Sequence, residues 1–141
     1  MIDLKAIFAP IADKLKLKFG SGGQVDFDNA CNDIQSPDTV LLFLELYDDF
    51  SLTVDAYGIG DVKPFVIFVV KKGAVQEEPL TRYPKILDCE AVTINILRLL
   101  LDTEGTIVGG NASPVLSVTT NAMSGIRFNG SYKKTLSLCV Q

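Results

Sequence analysis

The chain has 141 residues, a formal net charge of −4 and no histidine; 48% of its residues are hydrophobic and 21% are charged. This balance predicts one ordered domain over residues 1–141 and excludes a disordered chain. The lack of a basic excess argues against a nonspecific nucleic-acid binder. The lack of histidine removes the commonest general base and transition-metal ligand. The apolar runs are shorter than the roughly 18–20 residues that span a bilayer, so we expect a soluble protein made in a cytoplasm, with no membrane contact.

Residues 2–19 predict an amphipathic helix, and Gly20 follows as its stop. Pro10 lies within this segment and predicts a kink or a restart of the helix. The buried face consists of four apolar residues at spacings of four, three and four, namely Leu4, Phe8, Ile11 and Leu15. Residues 21–38 are rich in small and polar residues and predict a loop, with 24–27 as a candidate short strand.

Three apolar segments follow and predict an antiparallel meander of strands. These segments are TVLLFLELY (39–47), SLTVDAYG (51–58) and FVIFVVKK (65–72). The segment GIGD (58–61) predicts the turn before the third strand. The second strand alternates between polar and apolar residues, which predicts that Leu52, Val54 and Ala56 face inward.

The third strand segment begins with six apolar residues in succession, FVIFVV (65–70). Side chains alternate between the two faces of a sheet, so three of them point to each face. Leaving three such side chains in water would lose about 4–9 kcal/mol of burial free energy, compared with a total domain stability of roughly 5–15 kcal/mol. The segment therefore predicts a strand that is covered on both faces.

The segment KILDCEAVTINILRLLLDTEG (85–105) is the clearest predicted helix, and Gly105 ends it. Its apolar residues cover most of the circumference, which predicts burial on more than one side. One apolar stripe consists of Leu87, Ala91, Ile94, Leu97 and Leu101, and a second consists of Val92, Ile96, Leu99 and Leu100.

The C-terminal part predicts a connector and two final strands. Residues 106–114 contain adjacent glycines and predict the flexible connector. Residues 115–122 and 131–140 predict the strands, on either side of a turn at FNGS (128–131). In the final strand, Leu136, Leu138 and Val140 are expected to face inward.

These elements predict an α+β fold: a mostly antiparallel sheet of about five strands with two main helices packed on one face. The other face of the sheet and the spare side of the second helix then need a partner, and a second copy of the chain is the simplest one. The candidate subunit contacts are Val66, Phe68, Val70, Val92, Ile96, Leu99 and Leu100.

Candidate catalytic or metal-binding residues lack supporting neighbours. Two acidic groups offer oxygen ligands or an acid–base pair, Asp26, Asp28 and Asp33 in one segment and Asp48, Asp49 and Asp55 in another. The first group lacks the spacing of a calcium loop, and predicted loop polarity accounts for it. Predicted hairpin polarity accounts for the second group better than an acid–base role does. The cysteines, Cys31, Cys89 and Cys139, have no histidine to serve as their base, and Ser124 in MSGIR is outside a G-x-S-x-G motif. We therefore predict no catalytic residue, no cofactor, no metal and no enzyme activity.

The order of these elements resembles that of the tail terminator proteins of long-tailed bacteriophages. The resemblance covers most of the chain: the N-terminal helix, DTVLLFLELYDD, the strand ending FVIFVVKKG, the helix ILDCEAVTINILRLLLD, and the closing IRFNGSYKKTLSLCV. It implies a small α+β subunit that forms a hexameric ring on the tail tube, stops polymerisation of the tube and meets the neck proteins. It also implies a location in the virion, with assembly in the host cytoplasm.

Two properties of the chain are consistent with a ring around a DNA conduit. The acidic net charge would repel passing DNA over a Debye length of about 8 Å, so that DNA passes without specific binding. The loop predicted at 21–38 and the connector predicted at 106–114 are candidate contacts with the tube or neck, since loops can become ordered on docking.

Two other functions stay open at this point. The first is a cytoplasmic adaptor domain without catalytic activity, whose exposed apolar patch binds a different protein. The second is a small-ligand enzyme or binding protein that uses carboxylates, which would require two convergent acids of shifted pKa in a buried pocket.

Overall fold

A computed structural model describes residues 2–46, 51–55, 58–73, 78–115 and 122–136. Within these ranges the chain forms three helices and six strands. In chain order they are α1 (Leu4–Lys14), β1 (Lys18–Gly22), α2 (Gln24–Asn32), β2 (Val40–Glu45), β3 (Ser51–Asp55), β4 (Gly58–Lys72), α3 (Pro79–Leu101), β5 (Thr106–Val115) and β6 (Met123–Leu136). The predicted α+β class is confirmed.

The strands form one mixed sheet in the order β1-β2-β4-β6-β5. The pair β1–β2 is parallel and the other pairs are antiparallel, so the prediction of a mostly antiparallel sheet is also confirmed. The predicted meander is wrong, because β2 and β3 do not pair with each other in the described residues. Strand β4 has 15 residues, so β2 pairs with 66–71 and β3 with 58–62 of the same strand.

One buried cluster joins α1 and α3 to the sheet. The predicted stripe of α1 is confirmed, since Phe8 and Ile11 are buried and Leu4 and Leu15 pack against the same cluster. The sheet contributes alternate residues of three strands, including Leu42, Leu44, Phe65, Ile67, Val69, Ile126 and Phe128. One face of FVIFVV is therefore covered by helices, as its pattern requires.

The opposite face of the sheet carries helix α2, which occupies a segment expected to be a loop. Phe27 of α2 lies 5.1 Å from Phe43 and 5.0 Å from Phe68 between ring centroids. Cys31 and Ile34 complete this second cluster with Leu41, Val70 and Met123. The second face of β4 is thus covered in large part by α2 of the same chain, an element that was not predicted.

Two predicted helix boundaries are also corrected. Helix α1 runs through Pro10 without restarting and ends before β1, so Gly20 lies in a strand. The end is a Schellman motif, in which Lys16 takes a left-handed φ of 58° and the Leu17 N–H donates to the Ala12 carbonyl at 2.8 Å. Helix α3 starts at Pro79, a favourable first position, and includes Pro84.

The C-terminal hairpin differs from the prediction because its strands are longer. The predicted connector 106–114 lies in β5, and the predicted turns 58–61 and 128–131 lie inside β4 and β6. A β-bulge between Val108 and Gly110, with Gly109 at φ 69°, lets β5 keep its pairing past the two glycines. Most of the predicted strand 115–122 lies outside the described residues. Leu138 and Val140, which were expected to face inward, also lie outside them.

Candidate interaction surfaces

The predicted subunit contacts lie mainly inside the single chain. Val70, Ile96 and Leu100 have no exposed surface, and Val66 is also buried. The remaining three, Phe68, Val92 and Leu99, are half-buried and pack against the two core clusters. These residues offer little side-chain surface to a second copy, because Val70 packs beneath α2 and because Ile96 and Leu100 lie in the cluster that joins α3 to the sheet.

Helix α3 instead exposes part of the other predicted stripe, Leu87, Ile94 and Leu101, together with Leu80, which precedes the predicted helix. Four large apolar residues at intervals of seven are exposed, namely Leu80, Leu87, Ile94 and Leu101. Leu80 is 90% exposed. We refer to these four residues as the α3 seam. A seven-residue repeat keeps residues near one side of a helix, and the 21-residue span corresponds to roughly 32 Å at 1.5 Å per residue. The seam therefore runs along almost the whole of α3.

A groove of about 370 Å³ lies between the α3 seam and strand β5. Its α3 side includes Ile94 and Leu97, and its floor includes Phe128 of β6. In the described part of the chain, no strand pairs with the outer edge of β5. The Gly109 bulge and Pro114 interrupt this edge, which disfavours the addition of a further strand. Contacts at this border would therefore be made by side chains in the groove.

A second apolar surface lies on the three-stranded end of the sheet, which we call the arm. The arm consists of β3 and the segments of β4 and β6 beside it (58–62 and 132–136). Val54 is 77% exposed and Leu52 is 57% exposed, and Ile59 is paired with Val54 on the same face. The prediction that Leu52 and Val54 face inward is wrong, because the described helices do not cover this end of the sheet. Ala56 lies outside the described residues.

The arm and the α3 groove are separate surfaces of one subunit. Ile59 pairs in register with Leu136, whereas Phe128 contributes to the groove. The two positions are eight residue steps apart along β6, which corresponds to roughly 27 Å at 3.4 Å per residue. The groove and the outer end of the arm are thus well separated, although the C-terminal end of α3 approaches the arm through the Glu104–Lys134 contact.

A third surface is the polar part of the sheet face that α2 leaves open. An open cavity of about 550 Å³ is lined there by β4, β5 and β6. The register places Arg127 between Phe68 and Ser113, and Asn129 between Val66 and Asn111. Cross-strand neighbours project on the same side of a sheet, so the guanidinium and the two amides share this surface. No pattern in the sequence indicated it, because Asn111 lies in the predicted connector, Asn129 lies in the predicted turn, and Arg127 was assigned to no element.

The buried ionisable groups have structural roles. Asp61 is buried, and its Oδ2 accepts a hydrogen bond from the Ile2 N–H at 2.9 Å. The Lys63 ammonium donates to the Ile2 carbonyl. These two bonds fix the start of the chain against β4. The second carboxylate oxygen of Asp61 has no hydrogen-bond partner among the described residues.

The two described cysteines are poor nucleophiles. Burial raises the pKa of the Cys31 thiol to about 12, and Asp28 adds to the shift. Burial likewise raises the pKa of the Cys89 thiol to about 12, although Lys71 opposes the shift. Both thiols are therefore protonated at neutral pH, and the thiolate is the reactive form. Cys139 lies outside the described residues.

The acidic residues that were considered as metal ligands act as local helix contacts. The Asp26 carboxylate accepts from the Gly23 N–H at 2.9 Å, and Asp28 accepts from the Gln24 side chain at 3.1 Å. No group of three metal-binding side chains occurs among the described residues. Asp48 and Asp49, and the side chain of Asp55, lie outside the described part.

An exposed ion pair joins the end of α3 to the arm. The Lys134 ammonium lies 2.8 Å from the Glu104 carboxylate. The hydrogen bond from Lys134, with its charge, lowers the pKa of Glu104, and the same contact raises the pKa of Lys134. Because both groups are exposed, this pair contributes little to stability.

No protein-family model matches this chain, and no curated protein matches it. None of the helices in the described ranges combines the length and the apolar character that a membrane span requires. Functional inference therefore depends on the surfaces described above.

Proposed function

We propose that this protein is a structural subunit that assembles with copies of itself into a ring, as a tail terminator or related tail-completion or neck protein of a bacteriophage. The observation that carries the proposal is the pair of exposed apolar surfaces, the α3 seam and the arm, which lie on different elements of one subunit. In this proposal the arm of one copy packs against the α3 seam and groove of the next, and the subunit has no catalytic role.

The amount of exposed apolar surface supports self-association. Burying seven half-exposed apolar side chains is worth roughly 5–10 kcal/mol, at about half the value of full burial for each. Association costs about 4–15 kcal/mol in lost translational and rotational freedom. The net free energy of forming one contact is therefore close to zero. The contact that closes a ring adds burial without a further loss of translational freedom, which favours a closed assembly over a dimer.

The separation of the two surfaces supports a ring. A contact between two different surfaces is heterologous, and repeated heterologous contacts give a ring when the rotation closes. A symmetric dimer would use the same surface of both copies and leave the other apolar surface in water. The arrangement of arm and seam thus favours more than two subunits.

The assignment to a phage tail depends on the resemblance in element order. The elements that carry this resemblance occur in the same order in the structure, as α1, β2, β4, α3 and the closing β6. The acidic net charge of −4 is consistent with a conduit that does not retain DNA. The hexameric state, the tail tube and neck as partners, and the virion as location belong to this proposal.

Light scattering of the purified protein over a range of concentrations tests self-association. We expect a discrete multiple of 15.3 kDa, six-fold for a hexamer, that persists on dilution. Val54→Asp places a charge on the arm without disturbing the core, and we expect it to reduce the mass to that of a monomer. Val25→Asp is the matched control, because Val25 is 71% exposed on α2, away from both surfaces, and it should assemble normally.

Two outcomes would contradict the proposal. A wild-type protein that stays monomeric at all concentrations would overturn self-association and favour the adaptor function, in which a different protein covers the seam. Assembly of Val54→Asp to the same mass as Val25→Asp would exclude the arm as a subunit contact.

A further inference from the structure

We propose that the cavity around Arg127 is a binding site for an oxyanion, a carboxylate or phosphate group of a small molecule. This inference is independent of self-association. It depends on the donors in the cavity, on their common orientation and on the absence of a partner for Arg127.

The polar side chains of the cavity are suited to an anion. Arg127, Asn111, Asn129 and Ser131 line it, and each can donate hydrogen bonds. Among the described residues that line the cavity, none is a carboxylate. An arginine guanidinium presents parallel N–H groups that match the two oxygens of a carboxylate or phosphate. The single formal charge in the cavity is therefore positive.

Arg127 is available for such a ligand. The residue is half-buried, and within the described ranges its guanidinium has no hydrogen-bond or ion-pair partner. Partial burial reduces the screening of its charge by water, which strengthens its attraction for an anion. Glu45 occupies the same face but pairs with Val66, two strands away from Asn129. This spacing is roughly 10 Å, more than a Debye length at physiological salt.

The cavity also has an apolar part, which indicates the chemical class of the ligand. Pro64 and Val66 of β4 line the cavity together with the polar side chains, so the cavity has an apolar part on β4 and donors on β5 and β6. A small organic acid or phosphate ester fits this division, with its apolar part on β4 and its anionic group on β6. Binding sites for small molecules commonly combine an apolar lining with a few polar groups.

Titration of the full-length protein with inorganic phosphate and, separately, with succinate tests the site, with amide chemical shifts as the readout. At matched ionic strength, we expect saturable shifts centred on Arg127, Asn129 and Gly130 with at least one probe. The probe with the higher affinity shows whether the site prefers a phosphate or a carboxylate group. Arg127→Gln should weaken binding by about tenfold or more, since one charge-assisted pair is lost.

Lys133→Gln is the matched control, because it removes one positive charge from the same sheet face between Val62 and Thr106, outside the cavity. It should leave the affinity within about twofold, since a surface charge contributes little. Asn129→Asp, at an exposed position, should abolish binding by repulsion while the fold is retained. Equal weakening by Lys133→Gln and Arg127→Gln would overturn the proposal in favour of diffuse electrostatic attraction. The proposal would also be overturned if neither phosphate nor succinate gave saturable shifts.

Discussion

Tyr132 shows how one buried side chain connects distant parts of the chain. Its hydroxyl accepts a hydrogen bond from the Gly105 N–H at 2.9 Å and lies 2.6 Å from the Thr103 hydroxyl. A Cβ atom at position 105 would overlap the tyrosine ring. The glycine that was predicted to end α3 therefore has a further role: it lets the turn after the helix approach β6.

We predict that Tyr132→Phe lowers the free energy of unfolding by about 1–3 kcal/mol, because the buried Gly105 N–H loses its acceptor. Urea denaturation of both proteins measures the difference. Tyr83→Phe is the control, since Tyr83 is exposed on α3, and its effect should stay within about 0.5 kcal/mol. Equal stability of Tyr132→Phe and wild type would show that another acceptor replaces the hydroxyl.

At the scale of elements, helix α2 is the largest difference between prediction and structure. Asp and Asn favour turns and caps over helix interiors, and five of them occur between 26 and 33, which explains the prediction of a loop. Phe27, Cys31 and Ile34 nevertheless recur at spacings of four and three, a helical stripe. Their packing against β2 and β4 outweighs the low intrinsic helix propensity of the segment.

We predict that Phe27→Ala destabilises the protein by about 3–5 kcal/mol, the usual cost of removing a buried aromatic ring. The ring contacts both Phe43 and Phe68, so its loss leaves a cavity between α2 and the sheet. Val25→Ala, on the exposed side of the same helix, should change the free energy of unfolding by less than about 0.5 kcal/mol. Similar effects of the two substitutions in urea denaturation would contradict the packing of α2 on the sheet.

At the scale of the whole molecule, the proposed arm-to-seam contact makes a specific prediction about mixtures of variants. Ile94→Asp places a charge in the α3 seam, and Val54→Asp places one in the arm. Each variant alone lacks one half of every contact and should be a monomer. In an equimolar mixture, the intact arm of Ile94→Asp meets the intact seam of Val54→Asp. Because this single contact does not close a ring, we expect a complex of twice the subunit mass that forms at high protein concentration and dissociates on dilution.

Light scattering of the separate and mixed variants distinguishes a heterologous contact, between arm and seam, from a symmetric contact of one surface with its own copy. A symmetric contact through the seam alone would let Val54→Asp associate by itself, and a symmetric contact through the arm would let Ile94→Asp do so. Neither of these results is compatible with a heterologous contact. Urea denaturation of each variant shows that its fold is retained, as expected for substitutions at exposed positions.

The sequence by itself determined which residues share a face. The period of two in residues 65–70 and the helical spacing of Leu4, Phe8, Ile11 and Leu15 are properties of the backbone geometry, and both patterns are matched by buried clusters. The α+β class follows from the same patterns. The candidate surfaces were predicted only in part, because Ile96 and Leu100, which were predicted as contacts, are buried within the chain, whereas Leu87 and Ile94 of the other stripe are exposed.

Only the tertiary structure decided what covers each face. Periodicity does not say whether a helix of the same chain, a second copy or water lies against an apolar stripe, because that depends on elements distant in sequence. Val70 is buried by α2 rather than by another subunit, and Leu87 and Ile94 stay exposed because α1 and the sheet occupy the opposite side of α3. The cavity of Arg127, Asn111 and Asn129 likewise exists only through the pairing of β5 with β6, since register places side chains together that the sequence keeps apart.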